Sequence, residues 1–170
     1  PPWSQYYPRR LEAEVLSDVL TQVLRWDENY ASKIPEPYTF IPKNEKTIRL
    51  DDGSISSRNL ELFGRSSRDT GTIEEVNLNP NFKQSLELIN SSSIQERLRK
   101  HHLVKQAHKK NFNWDLWINN IYLHVLSRLP NHDEVSFINY HYKGNHQKKE
   151  DKAYDIFWAL INTREFIFRH

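Results

Sequence analysis

The amino-acid sequence predicts an all-α protein in which five to six helices pack as an irregular bundle with one long wrapped loop. Apolar residues recur at the spacing of a helix face through much of the chain, as between Leu11 and Leu24. The 170 residues include only 4 glycines, few for a protein built on tight β-turns. We therefore expect a single helical domain over 1–170, with 1–8 as a lead-in.

Helix-start and helix-stop signals locate the individual helices. Acidic residues crowd the first half of the first helix, Pro80 opens the second, a run of serines precedes the third, and Asn113 precedes the fourth. Asn131 or His132 caps the fifth helix, and the sixth starts at Lys149. The predicted ranges are about 9–26, 80–90, 93–108, 114–129, 132–143 and 149–161.

Residues 31–57 have a different character, with three prolines and an Asp-Asp-Gly turn signal. A structureless loop of this length is uncommon in a compact domain. We expect the segment to wrap over the helices, and its predicted apolar anchors are Tyr38, Phe40, Ile48 and Leu50.

Composition excludes several classes of protein. Without cysteine there are no disulfides, thiolate zinc sites, iron–sulfur clusters or covalently attached haem. The longest apolar run covers only 156–161, whereas a membrane helix needs about 18–20 residues. The net charge of +2 is too small to indicate nucleic-acid binding. We expect no cofactor in this chain, no membrane span and no nucleic-acid partner.

The titratable residues do not predict a catalytic or metal site. None of the eight histidines has a second histidine three or four positions away, so we expect solvated histidines and no metal. Glu14 and Asp18 are one helical turn apart, but the helix dipole explains acids at that end. No nucleophile motif is present, so no catalytic residue is predicted, and we favour a protein that is not an enzyme.

Two groups of residues are candidates for anion binding. Arg65, Arg68 and Asp69 lie in a polar, irregular segment, where the guanidinium groups would clamp an anion or else tie the segment down. The basic stretch 97–110 is either an anion-binding face or a solvated helix surface. Its candidate residues are Arg97, Lys100 and Lys105.

Aromatic residues divide into two sets. The set predicted to lie in the core comprises Trp114, Trp117, Tyr154, Phe157 and Trp158. The set predicted to form an interaction surface, against chain that precedes this segment, comprises Trp3, Tyr6, Tyr7 and Trp26.

Five ordered motifs carry a resemblance to a known family. They lie at 7–14 (YPRRLEAE), 62–71 (LFGRSSRDTG), 84–91 (QSLELINS), 122–130 (YLHVLSRLP) and 155–170 (DIFWALINTREFIFRH). In this order and spacing they resemble the C-terminal domain of unknown function in planctomycete-type cytochrome c multidomain proteins. The resemblance implies the C-terminal part of a larger exported protein, at the periplasm or cell surface, in which any haem belongs to an upstream domain.

The resulting functional hypothesis is a non-catalytic helical interaction or scaffold module of an exported bacterial multidomain protein. Its expected partners are neighbouring domains of the same polypeptide or a second copy of the chain. Two alternatives stay open at this point. One is part of an enzyme site, for polysaccharide or redox chemistry, completed by upstream domains. The other is an anion- or glycan-binding module that uses the basic stretch 97–110.

Overall fold

The structure is a computed structural model that describes residues 9–26, 30, 32, 40–42, 45–50, 55, 57, 60, 91–142 and 146–169. The described chain is mostly helical, which confirms the all-α prediction. It forms two compact units, one of Pro1–Asn90 with Ile167–His170 and the other of Ser91–Phe166. The single domain over 1–170 stays a prediction, and the helix predicted over 80–90 lies outside the described residues.

The described residues of the first unit include an α-helix, a short 3-10 helix and a two-stranded sheet. Their bounds are β1 Arg9–Arg10, α1 Ala13–Leu24, the 3-10 helix Thr47–Arg49 and β2 Phe168–Arg169. The two strands pair antiparallel, with Arg9 opposite Arg169 and Arg10 opposite Phe168. Neither strand was predicted, because two residues are too few to produce a periodicity of two.

Helix α1 is shorter than the predicted range of 9–26. Its first residues are taken up by strand β1, and the backbone N–H of Leu11 donates to the carbonyl of Ile167 at 2.9 Å. From Ala13 onward the predicted apolar face is buried, including Leu16, Leu20 and Leu24.

Asp18 connects α1 to the 3-10 helix in the long loop. Its carboxylate accepts the backbone N–H groups of Thr47 at 2.7 Å and of Ile48 at 3.3 Å. The Asp18 carboxylate therefore accepts hydrogen bonds from the free backbone N–H groups at the start of a short helix, 29 residues away. This contact gives Asp18 a structural role rather than a catalytic one with Glu14.

The predicted anchors of the long loop need correction. Phe40 is 74% exposed and Ile48 is 56% exposed, so neither anchors the loop. Leu50 is buried as predicted, and Tyr38 lies outside the described residues. The loop is held instead by a small apolar cluster in which Leu50 packs with two further buried residues, Ile55 and Leu60.

The second unit is helical throughout its regular elements. Their bounds are α2 Ser92–Lys100, α3 His102–Gln106, α4 Trp114–Leu126, α5 His132–Tyr142, α6 Lys149–Ile161 and α7 Arg164–Ile167, whose last residue belongs to the first unit. Helix α6 packs against α2, α3 and α4, and its bounds match the prediction. It buries an apolar stripe that includes Ala153, Phe157 and Ile161, each with an exposed fraction of 0%.

The prediction of a single helix over 93–108 is wrong, because the helix is interrupted at His101. There the backbone is extended (ψ 139°), which ends α2, and the imidazole Nδ1 accepts the backbone N–H of Leu103 at 3.3 Å. His101 therefore acts as the N-cap of α3. The apolar periodicity continues on both sides of it, through Leu98 and Val104, and conceals the break.

Two helices end on non-glycine residues in the left-handed conformation. Arg25 follows α1 with φ 51°, and Ser127 follows α4 with φ 57°. In each case the backbone N–H of the residue donates to a carbonyl in the last turn of its helix, a common way for a helix to stop.

Arg128 joins the segment after α4 to two other helices. Its guanidinium makes two hydrogen bonds to the Glu165 carboxylate, at 2.6 and 2.7 Å, and two to the Glu134 carboxylate, at 2.7 and 2.8 Å. Glu134 also closes a capping box with Asn131, which identifies Asn131 as the cap residue of α5. One side chain thus positions the start of α5 and the first turn of α7.

In the described part of the chain, we find no helix with the length and apolar character that crossing a membrane requires.

We predict that Arg128→Lys lowers the free energy of unfolding by about 1–2 kcal/mol, because lysine cannot make paired hydrogen bonds to two carboxylates. The expected loss is modest since these side chains are 27–36% exposed and water screens the charges. Urea unfolding of the full chain, followed by far-UV circular dichroism, measures it. Arg99→Lys is the matched control, because Arg99 is 61% exposed and 3.8 Å from Asp151. An equal loss in both variants would contradict a special role for Arg128.

Lowering the pH should weaken the hydrogen bonds between Arg128 and Glu134. Hydrogen bonds from Arg128 hold the pKa of Glu134 below its ordinary value of 4.5. A lowered pKa in the folded state adds stability that is complete above the unfolded value and is lost as the pH falls through the folded value. We expect the difference in unfolding free energy between the original protein and Arg128→Lys to be constant above about pH 5 and to shrink below it. A difference that stays constant into the acid range would refute this coupling.

Candidate functional site

A cleft in the Ser91–Phe166 unit lies where three helix ends meet. The first turn of α4, the last turn of α5 and the first turn of α6 surround a cavity of about 310 Å³. Sites for small molecules span about 300–1,000 Å³, so this cavity is at the lower end of that range. We call it the aromatic cleft, and its lining residues are Phe112, Trp114, Asp115, Asn139, Tyr142, Lys149 and Lys152.

The position of Trp114 in the cleft follows from the start of α4. Asn113 is the N-cap, and its side-chain oxygen accepts the backbone N–H of Leu116 at 3.0 Å. Asp115 in the first turn adds a favourable charge at the positive end of the helix. Trp114 is then the first helical residue, and its indole is half-buried at the edge of the cleft.

Four aromatic rings form a connected cluster along one side of the cleft. The indoles of Trp114 and Trp117 are stacked, with centroids 5.3 Å apart and planes 16° apart. Phe112 lies 5.7 Å from Trp114 and Tyr142 lies 6.4 Å from it, both at steep angles. Stacked and tilted arrangements of this kind are the favoured geometries of aromatic pairs. Three of the rings, Phe112, Trp114 and Tyr142, line the cavity and form an aromatic wall, and Trp117 supports Trp114 from outside that lining.

Trp117 makes that wall rigid. It is 3% exposed, and its indole N–H donates to the backbone carbonyl of Leu103 in α3 at 2.8 Å. Phe112 is also 6.1 Å from it. Because Trp117 is fixed by burial and by a hydrogen bond, the ring of Trp114 stacks on an ordered partner before any ligand arrives.

Two lysines of α6 face the same cleft from one side. Lys149 and Lys152 are three residues apart and so share a helix face. The Lys149 ammonium lies 5.9 Å from the ring centroid of Phe112, within cation–π range. The Lys152 ammonium donates to the carbonyl of Tyr142, the last residue of α5, at 2.8 Å. That contact ties the end of α5 to α6 and places a positive charge at the negative end of a helix.

The phenol of Tyr142 serves the cleft as a neutral group. Burial raises its pKa above the ordinary value of 10.0, and the nearby Asp155 carboxylate raises it further. The hydroxyl therefore remains protonated through the neutral range and is able to donate a hydrogen bond.

A second cavity of about 270 Å³ adjoins the first and shares Phe112 with it. We call it the amide cleft, because four of its lining side chains are amides. Its other lining residues are one lysine and three apolar residues. The lining comprises Gln106, Lys109, Asn111, Phe112, Asn113, Leu116, Trp117 and Asn120. Each amide offers both hydrogen-bond donors and an acceptor.

The basic stretch predicted as one anion-binding face is divided between two helices. Arg97 Nε donates to Ser93 Oγ at 3.3 Å, Lys100 pairs with Glu96, and Lys105 is exposed on α3. The break at His101 separates the first two of these residues from the third. Lys109, beyond α3, lines the amide cleft.

The other candidates from the sequence have different outcomes. Arg65, Arg68 and Asp69 lie outside the described residues, as do Trp3, Tyr6 and Tyr7, so their roles stay predictions. Trp26 is half-buried and its backbone N–H donates to Thr21 at 2.8 Å. Among the residues predicted for the core, Trp117 and Phe157 are buried, whereas the half-buried ones are Trp114, Tyr154 and Trp158.

The prediction of solvated histidines is wrong for His101, which is 4% exposed. Its ring lies 4.3 Å from His102, 5.3 Å from His124 and 5.0 Å from Phe157. Tertiary packing brings His124 of α4 against the adjacent pair His101 and His102, and the spacing of histidines along one helix does not reveal this contact. Among the described residues, no three histidine or acidic side chains are arranged to hold a metal ion, and the expectation of no metal stays a prediction.

Neither cleft was predicted from the sequence, although part of the signal was present. A tryptophan directly after an N-cap residue lies at a helix end, where neighbouring helices cover it least. Lys149 and Lys152 share a face of α6 at its first turn. The sequence does not reveal the turn geometry that brings the end of α5 against the starts of α4 and α6.

Comparisons with protein-family models, with curated proteins and with solved structures found no match for the chain. The resemblance carried by the five sequence motifs stays a prediction, and the clefts themselves are the basis for inferring a function.

The two tryptophans should differ in their contribution to stability. We predict that Trp117→Phe lowers the free energy of unfolding by about 2–3 kcal/mol, because it leaves the Leu103 carbonyl without its indole donor and opens a void. Trp114→Phe should cost less than about 1 kcal/mol, since that ring is half-buried. Urea unfolding of both variants tests this. Equal losses would mean that Trp114 belongs to the core rather than to a binding wall.

Proposed function

We propose that the chain is a non-catalytic helical interaction module of an exported bacterial multidomain protein and that its Ser91–Phe166 unit binds a ligand in the aromatic cleft. The observation that carries the binding role is the wall of three aromatic rings, backed by Trp117, with two lysine side chains on one flank. A concave, partly apolar site with a few convergent polar groups is the usual form of a small-molecule site. The exported setting rests on the sequence resemblance alone.

The cleft is suited to binding more than to catalysis. Acid–base catalysis needs a positioned group whose pKa matches its task in a site that excludes water. The carboxylate of the aromatic cleft, Asp115, is exposed, and so is Lys149. Lys152 already donates to a carbonyl of α5. These groups are placed to orient a ligand by charge and hydrogen bonding.

Nuclear magnetic resonance of the indole N–H groups tests the proposed function. The full chain is titrated with four soluble probes, namely an acidic oligosaccharide, a neutral oligosaccharide, benzoate and an acidic peptide. We expect at least one probe to shift the indole resonances of Trp114 and of its stacked neighbour Trp117 with saturation. In Trp114→Ala, which lacks the first of these resonances, that probe should no longer shift the resonance of Trp117.

Tyr140→Ala is the matched control, because Tyr140 is an aromatic residue of the same unit, 83% exposed and outside the lining of the cleft. It should leave the response unchanged. If no probe moves the Trp114 resonance, or if Tyr140→Ala abolishes the response as fully as Trp114→Ala, the proposed binding role is wrong.

A further inference from the structure

The two adjoining cavities point to the chemical class of ligand, an inference that rests on the proposed function. Each cavity is near the lower size limit for a small molecule, and Phe112 lines both. Two small cavities that share a lining residue suit a ligand made of repeated ring-sized units better than one compact molecule. The ligand is therefore expected to be an oligomer with a unit in each cavity.

The lining chemistry indicates what those units are. A pyranose ring has one face of C–H groups, which carry a slight positive charge and pack on the negative face of an aromatic ring such as Trp114. Its hydroxyls each donate and accept, as the amides of Asn111 and Asn120 do. The oxygen of Asn113 already accepts the Leu116 N–H, and its NH2 group is left to donate. All three asparagines are exposed, so their amide groups reach solvent. The aromatic faces therefore match the C–H face of a sugar, and the amide groups match its hydroxyls.

The charge around the clefts adds a further requirement. Lys149 and Lys152 line the aromatic cleft and Lys109 lines the amide cleft, whereas Asp115 is the one carboxylate in the two linings and Asp155 lies near Tyr142. This excess of positive charge favours an anionic group on the ligand. Lysine is a point charge without the paired geometry of arginine, so it serves a carboxylate or a sulfate equally well.

We propose that the aromatic and amide clefts together bind an acidic oligosaccharide, with one pyranose unit against Trp114 and its anionic group beside Lys149. The site overlaps the basic stretch 97–110 that the sequence indicated only at Gln106 and Lys109. Most of its aromatic and amide residues lie at 111–120, and α6 supplies two of its three lysines. A single-stranded nucleic acid also combines stacking with negative charge. The amide-rich second cavity favours the sugar.

Calorimetric titration of the full chain tests the ligand class. The probes are a hexuronate tetrasaccharide, a sulfated galactose tetrasaccharide, an uncharged galactose tetrasaccharide and a short oligothymidylate. We expect saturable binding of one or both acidic sugars, at least about fivefold tighter than the uncharged one and weaker in high salt. The two acidic probes distinguish carboxylate from sulfate recognition.

Matched variants locate the binding in the clefts. Trp114→Ala should weaken binding by about tenfold and Lys149→Met by about threefold, the latter with a smaller dependence on salt. Asn120→Ala tests the amide cleft, with an expected loss of about threefold. Tyr140→Ala and Lys148→Met are the controls, since both residues are exposed and lie outside the two linings. They should change affinity by less than about twofold.

Several results would overturn this ligand class. Equal binding of the uncharged sugar, binding of the oligothymidylate alone, or no binding of either acidic sugar would each do so. Unchanged affinity in a Trp114→Ala variant that retains its circular dichroism spectrum would place the sugar elsewhere. If a different probe, such as benzoate, still shifts the Trp114 resonance, the binding module stands and only the acidic-sugar assignment fails.

Discussion

The hydrogen bond from the indole of Trp117 to the carbonyl of Leu103 is the interaction on which the candidate site depends. It joins α4 to the five-residue helix α3, which is too short to satisfy most of its own backbone groups. An indole buried without such a partner would lose the free energy of an unmade hydrogen bond. With it, the helix that carries Trp114 is held in register against α3, and the second cavity forms where the chain leaves α3 for α4.

A second constraint acts from the opposite end of α4. Arg128 follows that helix directly and makes two hydrogen bonds to each of two carboxylates, so the turn into α5 and the turn into α7 share one cation. Lys152 connects the far end of α5 to α6. Helix α5 is thereby fixed at both ends by single basic side chains, although Ile138 is its one fully buried residue. Polar contacts, more than apolar burial, determine where its last turn meets the aromatic cleft.

Much of the helical architecture was predictable because its signals are local. Helix α6 was predicted with its observed bounds, and the start of α4 follows from Asn113. The break at His101 was not predictable, since it depends on an imidazole that caps α3 and packs against Phe157. The clefts were missed for a similar reason. Their residues come from three segments whose approach is decided by turns and by long-range contacts such as Arg128 with Glu165, 37 residues apart.

The left-handed residues Arg25 and Ser127 have a practical consequence for protein engineering. A side chain at such a position is crowded against its own backbone, and glycine relieves that crowding. The relief is partly offset because glycine also gains freedom in the unfolded chain. Both positions lie outside the linings of the two clefts. Substitutions there can therefore stabilise the fold without changing any residue that lines a cleft.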